Sequence, residues 1–315
     1  MNYLRIYPLE IILKAEENIS LPSFVTNTIR GAFGYNLKNL ACVYRNIKRD
    51  CKKCLLKKSC VYSRIFESTV DNIKKNKPNM SNLLKDVPDP FIFYIPPESG
   101  RFEVEKNKMF SIRLVLLGDI IDDLPWFIVT FNHMTEVGLG KDFQKVVVDS
   151  VEHYSGHIYS SDTETFINYL PGLPNDVLLP DSDIKEIMLQ FLTPLRLRIQ
   201  NSVIDSLDKQ MFWNAVVRRW YLVNEVWNIS PLLSDYEKYF KLYEQITDFK
   251  SEMSWVRYRR YSTRQNKWIY LSGLQGNIRL SGSLNELYPI LKLAELINIG
   301  KSTSYGMGKF KLIRG

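Results

Sequence analysis

From Leu4 to Ala15 apolar and polar side chains alternate, the period-two pattern of a half-buried strand. After Pro22 the period lengthens. Val25, Ile29, Phe33, Leu37 and Leu40 recur at helical spacing and form an apolar stripe, while Arg30, Gly34 and Lys38 share another face, expected to be solvated. A second helix-like stretch begins at Val61, followed by a lysine-rich connector from Lys74 to Pro90. PDPFIFYIPP and FSIRLVLLG are rich in aromatic and β-branched residues and read as strands. Leu124 to Val137 reads as a helix running into GLGKDF, and VVVDSVEHYSGHIY as a strand. The first half is therefore β, α, insertion, β, β, α, β.

Asn168 to Pro180 contains three prolines and reads as a linker. The order of elements then repeats. IMLQFLTPLRLRI is expected as a strand and Phe212 to Trp227 as an amphipathic helix. Lys267 to Leu280 is expected as two strands joined at a turn from Ser272 to Gly276. A helix from Leu284 to Ile297 precedes a glycine-bearing loop, Gly300 to Gly308, and KFKLI forms the last strand. Two βαββαβ units in tandem, an α+β chain, are harder to obtain by chance than either unit alone. The expected domains are residues 1–175, with an insertion at about 41–90, and residues 184–315.

At 315 residues, 45% of them hydrophobic, the chain is long enough for two domains with their own cores. Charge then separates the halves. Residues 185–315 hold 20 Lys+Arg against 11 Asp+Glu, a net of +9, whereas residues 1–184 carry −1. A basic half suits a polyanion, because each phosphate neutralised releases counterions whatever the base sequence. The start of the chain lacks a basic-then-apolar leader and no apolar run reaches spanning length, so no membrane association and a cytoplasmic location are expected.

All four cysteines, Cys42, Cys51, Cys54 and Cys60, fall in one window with spacing C-x8-C-x2-C-x5-C. In a reducing compartment this pattern favours a structural tetrathiolate zinc over disulfides, and an iron–sulfur cluster uses the same ligands. The lysines of KRDCKKCLLKKSC are expected to favour the thiolate form.

In the basic half, Gly300, Gly306 and Gly308 surround Lys301, Ser302, Thr303, Ser304 and Tyr305, with Lys309 beyond. Glycines that bring backbone N–H groups close, together with hydroxyls and lysines, make a phosphate-holding composition. The segment Trp255 to Trp268 interleaves Arg257, Arg259, Arg260, Arg264 and Lys267 with aromatic rings. Guanidinium groups fork onto phosphates and rings stack on unpaired bases, so this mixture suits RNA. Arg218 and Arg219 are adjacent on a helix, so at most one shares its apolar face. The three histidines are His133, His153 and His157.

Eight segments occur in family order: LPSFVTNTIRGAFG, CKKCLLKKSCVYSRIFE, PDPFIFYIPP, GLGKDF, LTPLRLR, WVRYRRYSTRQ, LSGLQGNIRLSG and IGKSTSYGMGKF. In these the chain resembles the CRISPR-associated repeat-RNA processing endoribonucleases of the RAMP superfamily. The resemblance implies tandem ferredoxin-like (RRM-like) domains, with CRISPR repeat RNA bound by the second domain and its glycine loop. It also implies cleavage within repeats by 2′-hydroxyl attack, giving 2′,3′-cyclic phosphate and 5′-hydroxyl ends with no metal cofactor for catalysis. Members often carry a histidine two residues before the loop's first glycine, and another in or near the first helix. Here the former position is Asn298, and residues 23–41 contain no histidine. Lys301, to neutralise the scissile phosphate, Tyr305, to order the 2′-hydroxyl or stack a base, and His133 are then the catalytic candidates. The rival reading is a non-cutting RNA-binding subunit held with other CRISPR effector subunits. A third is a metal-dependent enzyme using the cysteines.

Overall fold

Strand β1 (Ile6–Ala15) follows its alternation: Leu9, Ile11, Leu13 and Ala15 are buried while Glu10 and Lys14 face out. The computed structural model describes residues 4–44, 50–67, 87–163, 165–166, 170–199, 202–229, 236–262 and 267–314. The chain divides into two units. One comprises Arg5–Gly172 with Glu225–Ile229; the other comprises Met1–Leu4, Leu173–Asn224 and Ser230–Gly315.

In the first unit β1 is followed by β2 (Ile19–Leu21), α1 (Val25–Ala41), α2 (Val61–Phe66), β3 (Phe91–Tyr94), β4 (Phe102–Val104) and β5 (Met109–Leu117). Then come α3 (Leu124–Val137), β6 (Val146–His153), β7 (Gly156–Ser160) and β8 (Thr165–Phe166). The sheet order is β3-β5-β1-β6-β7-β8, and every pairing is antiparallel. Its first four strands have the ferredoxin-like order 2-3-1-4, with β7 and β8 added at one edge; β2 and β4 pair separately.

The α1 stripe is core, with Val25, Ile29, Phe33 and Leu37 fully buried and Leu40 only partly so. Phe33 lies 5.1–6.5 Å, ring centre to ring centre, from Phe91, Phe93, Phe127 and Phe131. Such rings each contribute roughly 2 kcal/mol or more of burial. The Arg30, Gly34 and Lys38 face, expected in solvent, instead packs on α2. Arg30 donates to Asp89 at 2.9 Å and its guanidinium lies 4.9 Å from the Phe66 ring centre, while Lys38 lies 5.5 Å from that of Tyr62.

The second unit contains β9 (Glu186–Phe191), β10 (Arg198–Ile199), β11 (Ser202–Val203), α4 (Lys209–Trp227, belonging to this unit through Asn224) and α5 (Tyr236–Phe240). β12 (Ile246–Ser262), β13 (Lys267–Gly282), α6 (Tyr288–Ile297) and β14 (Phe310–Arg314) complete it. The order β12-β13-β9-β14 is again 2-3-1-4 and antiparallel throughout. The fold is thus a tandem of ferredoxin-like units. Phe212, Trp213, Val216, Val217, Trp220 and Val223 of α4 are buried in the second core with Ile278, Leu280, Leu291 and Phe310.

Two expectations are corrected here. The stretch read as two strands with a turn at Ser272 to Gly276 is one continuous strand, β13, paired along its length with β12. Gly273 sits in that strand because a Cβ there would collide with the carbonyl oxygen of Leu195, which exchanges backbone hydrogen bonds with Leu274 at 2.7 and 2.9 Å. The reading of IMLQFLTPLRLRI as one strand also fails, because β9 stops at Phe191, ahead of Pro194. Of the expected connector and linker, residues 74–86 and 168–169 lie outside the described residues. Among the described residues no helix is long and apolar enough to cross a membrane.

Candidate nucleic-acid interface

β12 and β13 run for 17 and 16 residues, but β9 pairs only with Asn277–Ser281 of β13. The remainder, toward Ser262 and Lys267, forms a two-stranded ribbon, apart from the single bridge from Leu274 to Leu195. Side chains directly opposite on paired strands share a face. Arg257 opposes Ser272 and Arg259 opposes Tyr270, so one face collects Arg257, Arg259, Tyr270 and Trp268. Arg257 and Arg259 are exposed, as are Trp268 at 53% and Tyr270 at 54%. The Arg259 guanidinium lies 4.0 Å from the Trp268 ring centre. Large exposed rings beside exposed arginines offer stacking and charge together. Lys267 is exposed at the start of β13. Arg260 has its backbone opposite Ile269. Its side chain, and the whole of Arg264, lie outside the described residues.

Sequence reasoning passed over Arg196 and Arg198. Leu195 and Leu197 are buried at 1% and 7%, so in this extended LRLR stretch the arginines between them point to the other side. Arg196 Nη1 lies 3.4 Å from Tyr270 O, 3.3 Å from Ser272 O and 3.4 Å from Ser272 Oγ. Burial, and after it the charge of Arg198, pull the Arg196 pKa below its ordinary value. The alternation itself was the available signal.

The glycine loop is built differently from an open phosphate cradle. Its backbone is spent on packing. Lys301 N–H donates to Arg196 O at 2.8 Å and Gly308 N–H to Pro194 O at 2.9 Å. Tyr305 and Gly306 N–H close a turn onto Ser302 and Thr303 carbonyls. Thr193 Oγ1 donates to Gly306 O at 2.7 Å and accepts from Lys309 N–H at 2.9 Å. Gly308, with φ +67°, has no room for a side chain, since a Cβ would collide with Ile299 O. Thr303, Ser304 and Lys309 are buried, and Lys309 Nζ donates to Glu295 O at 2.6 Å, so these three serve the loop's own structure. Gly300 and Gly306 have positive φ within the same wedge. Lys301 is exposed, and Ser302 and Tyr305 are half-buried. Asn298, buried and with φ +54°, donates from Nδ2 to Met307 O at 3.1 Å and closes the loop's base.

The adjacent arginines of α4 separate. Arg218 is exposed. Arg219, assigned to RNA from the sequence, is buried with Nε and Nη2 donating to Ile297 O and Asn298 O at 3.0–3.3 Å. It caps the C-terminal carbonyls of α6 and is unavailable to a ligand.

The histidines all belong to the first unit. His133 is on α3, 3.5 Å from Glu136. His153 is buried, and that burial holds its pKa below the ordinary value; its Nδ1 lies 2.7 Å from Ser155 Oγ, and His157 pairs with Glu152 at 2.7 Å.

The four cysteines bracket turns of one segment. Cys42 ends α1, Cys51 and Cys54 flank a single 3-10 turn, and Cys60 precedes α2. All four are free and half-buried. Burial pushes the Cys51 thiol up, against the opposing charge of Lys38. Among the described residues no three His, Cys, Asp or Glu side chains are gathered for a metal ion.

Comparison with known proteins agrees with this division. Residues 4–169 match the family model AF_1859_N, N-terminal domain, and residues 189–310 match that of the CRISPR-associated endoribonuclease Cas6. An uncharacterised protein of Archaeoglobus fulgidus is 26% identical over 298 residues, 93% of this chain and 92% of that protein. Among solved structures, a Cas6 product complex superposes with a TM-score of 0.55 at 15% identity, covering 98% of this chain and 100% of that one. Thermus thermophilus Cas6 gives 0.54 at 13% identity, covering 99% and 100%. At these identities the structural likeness establishes the fold.

Proposed function

We propose, for a chain whose residues 189–310 match the CRISPR-associated endoribonuclease Cas6, that the second unit holds the precursor transcript and that this member cuts it. The match of residues 189–310 to the model of the CRISPR-associated endoribonuclease Cas6 supports a role in processing CRISPR precursor RNA. The observation that carries the finer reading is the ribbon face on which Arg257 and Arg259 stand among exposed Trp268 and Tyr270. Arginine forks grip phosphates, and the rings take unstacked bases of a single strand.

The chemistry proposed is transfer of the 2′-hydroxyl oxygen onto its neighbouring phosphorus with departure of the 5′-oxygen. The proton leaves the 2′-oxygen, and the 5′-oxygen acquires one. No histidine stands at the loop, where Asn298 fills a structural place. Lys301, exposed on the loop, supplies charge to the phosphate and half-buried Tyr305 holds the 2′-hydroxyl. Positioning and charge stabilisation then carry the acceleration, and the absence of a tuned base removes about 10²- to 10⁴-fold. Slow cleavage is therefore expected.

A labelled repeat transcript incubated with purified protein in excess chelator tests this. A shortened product ending in a 2′,3′-cyclic phosphate supports cutting by this member. Tight binding with no product at long times contradicts it and leaves a binding subunit.

A structural zinc shared by Cys42, Cys51, Cys54 and Cys60 is part of this proposal, supported by the spacing of all four cysteines within one short stretch of sequence. Its work would be to pin that segment, and no catalytic step runs through it. Metal analysis of the purified protein is expected to give about one zinc per chain, lost in Cys51→Ser; metal-free protein with unchanged thermal stability contradicts it.

A further inference from the structure

Arg196 stands where the glycine loop meets the ribbon. Its carbonyl accepts the Lys301 N–H at 2.8 Å, and a Cβ on Gly300 would come within 2.6 Å of the same oxygen. On the other side its Nη1 rests against Tyr270 O and Ser272 O and Oγ. Ser272 is the residue opposite Arg257, so Arg196 touches the cross-strand partner of Arg257.

The hydrogen bonding of this guanidinium is incomplete. Its contacts within the described residues are three of 3.3–3.4 Å, all from Nη1. Among the described residues no carboxylate pairs with it. Arg198 adds a second positive charge nearby. A half-buried guanidinium without a counter-ion has lost hydration and gained little in exchange. Five N–H donors in a rigid plane make the remaining edge, Nε with Nη2, a ready fork for two oxygens of one anion. The Nη1 contacts fix the plane, so that fork is oriented in advance.

We infer that Arg196 seats one phosphodiester of the bound RNA, joining the path along the ribbon to the mouth of the glycine loop. The assignment rests on the RNA-processing reading above and adds to it a contact that neither the loop nor the arginine-rich segment supplies. Arg196 is a binding residue that fixes where the strand passes from Arg257 to Lys301. An RNA backbone is favoured over a free anion because the seat continues the face of Arg257, Arg259, Trp268 and Tyr270.

The test is anisotropy of a fluorescein-labelled single-stranded RNA carrying the cognate repeat, titrated from low to moderate salt. The full chain is compared with Arg196→Ala and Arg196→Gln, since Gln retains an N–H donor for the Ser272 and Tyr270 contacts without the charge. Both variants should bind about tenfold more weakly, with the log–log salt slope smaller by about 0.7, the loss of one phosphate contact on a single strand. Methylphosphonate placed at each linkage in turn should reveal one position that costs the natural protein about tenfold and costs both variants nothing further. A purely structural role gives weaker binding with an unchanged slope and the full linkage penalty in both variants, and overturns the assignment. Unchanged affinity in both variants overturns it too. Failure of the natural protein to bind the repeat RNA overturns the RNA-processing reading itself, a separate outcome.

Discussion

Replacing Arg257 and Arg259 together with alanine is expected to weaken repeat-RNA binding by about 10- to 100-fold and to lower the log–log salt slope by about 1.4, two phosphate contacts on a single strand. Both side chains are exposed on the ribbon, and their removal leaves the second core untouched. Thermal stability should therefore stay within roughly 0.5 kcal/mol of the natural protein. Loss of Arg259 also removes the cation over Trp268, so one ring contact goes together with the charge. Anisotropy and melting, measured on the same preparations, check the pair of outcomes. A slope that does not move would place the backbone elsewhere.

Arg219→Ala should do the opposite, damaging the fold first. The side chain is buried and three hydrogen bonds of 3.0–3.3 Å run from it to Ile297 O and Asn298 O at the end of α6. Truncation leaves those carbonyls without their charged donor, opens a cavity and removes a cation from the negative end of a helix. Together these cost about 3–4 kcal/mol. A fall in melting temperature on the order of 10 °C is expected for the second unit. Arg218→Ala, one residue away and exposed, should change melting hardly at all. Equal melting of the two variants would remove Arg219 from its capping role.

The contrast between these neighbours shows how much of the interface was legible beforehand. Their adjacency established that only one could lie on the apolar face, but charge alone did not say which. Phe212, Val216 and Val223 mark the buried stripe, and Arg219 falls on it at helical spacing, a signal that a helical projection carries. Duplicated βαββαβ order was legible because each unit repeats the same alternation of periods, and the order 2-3-1-4 follows in both sheets. The ribbon was not. Gly273 and Gly276 mimic a turn, whereas in β13 they answer to close approach by the backbones of Leu195 and Glu252, neighbours that only tertiary structure brings near. Arg196 was hidden by treating thirteen residues across Pro194 as one strand, although the LRLR alternation already set its direction. Composition led to the glycine loop but misjudged its backbone, since hydrogen-bond partners such as Thr193 and Pro194 lie more than a hundred residues away in sequence.

The central claim is that RNA lies along the ribbon and the glycine loop of the second unit. Hydrogen–deuterium exchange of the full chain, with and without repeat RNA, addresses it most directly. Slowed exchange is expected in peptides covering residues 255–274 and 299–308, with β1, β5 and β6 of the first unit unchanged. Protection confined to the first unit, or none at saturating RNA, would contradict the account.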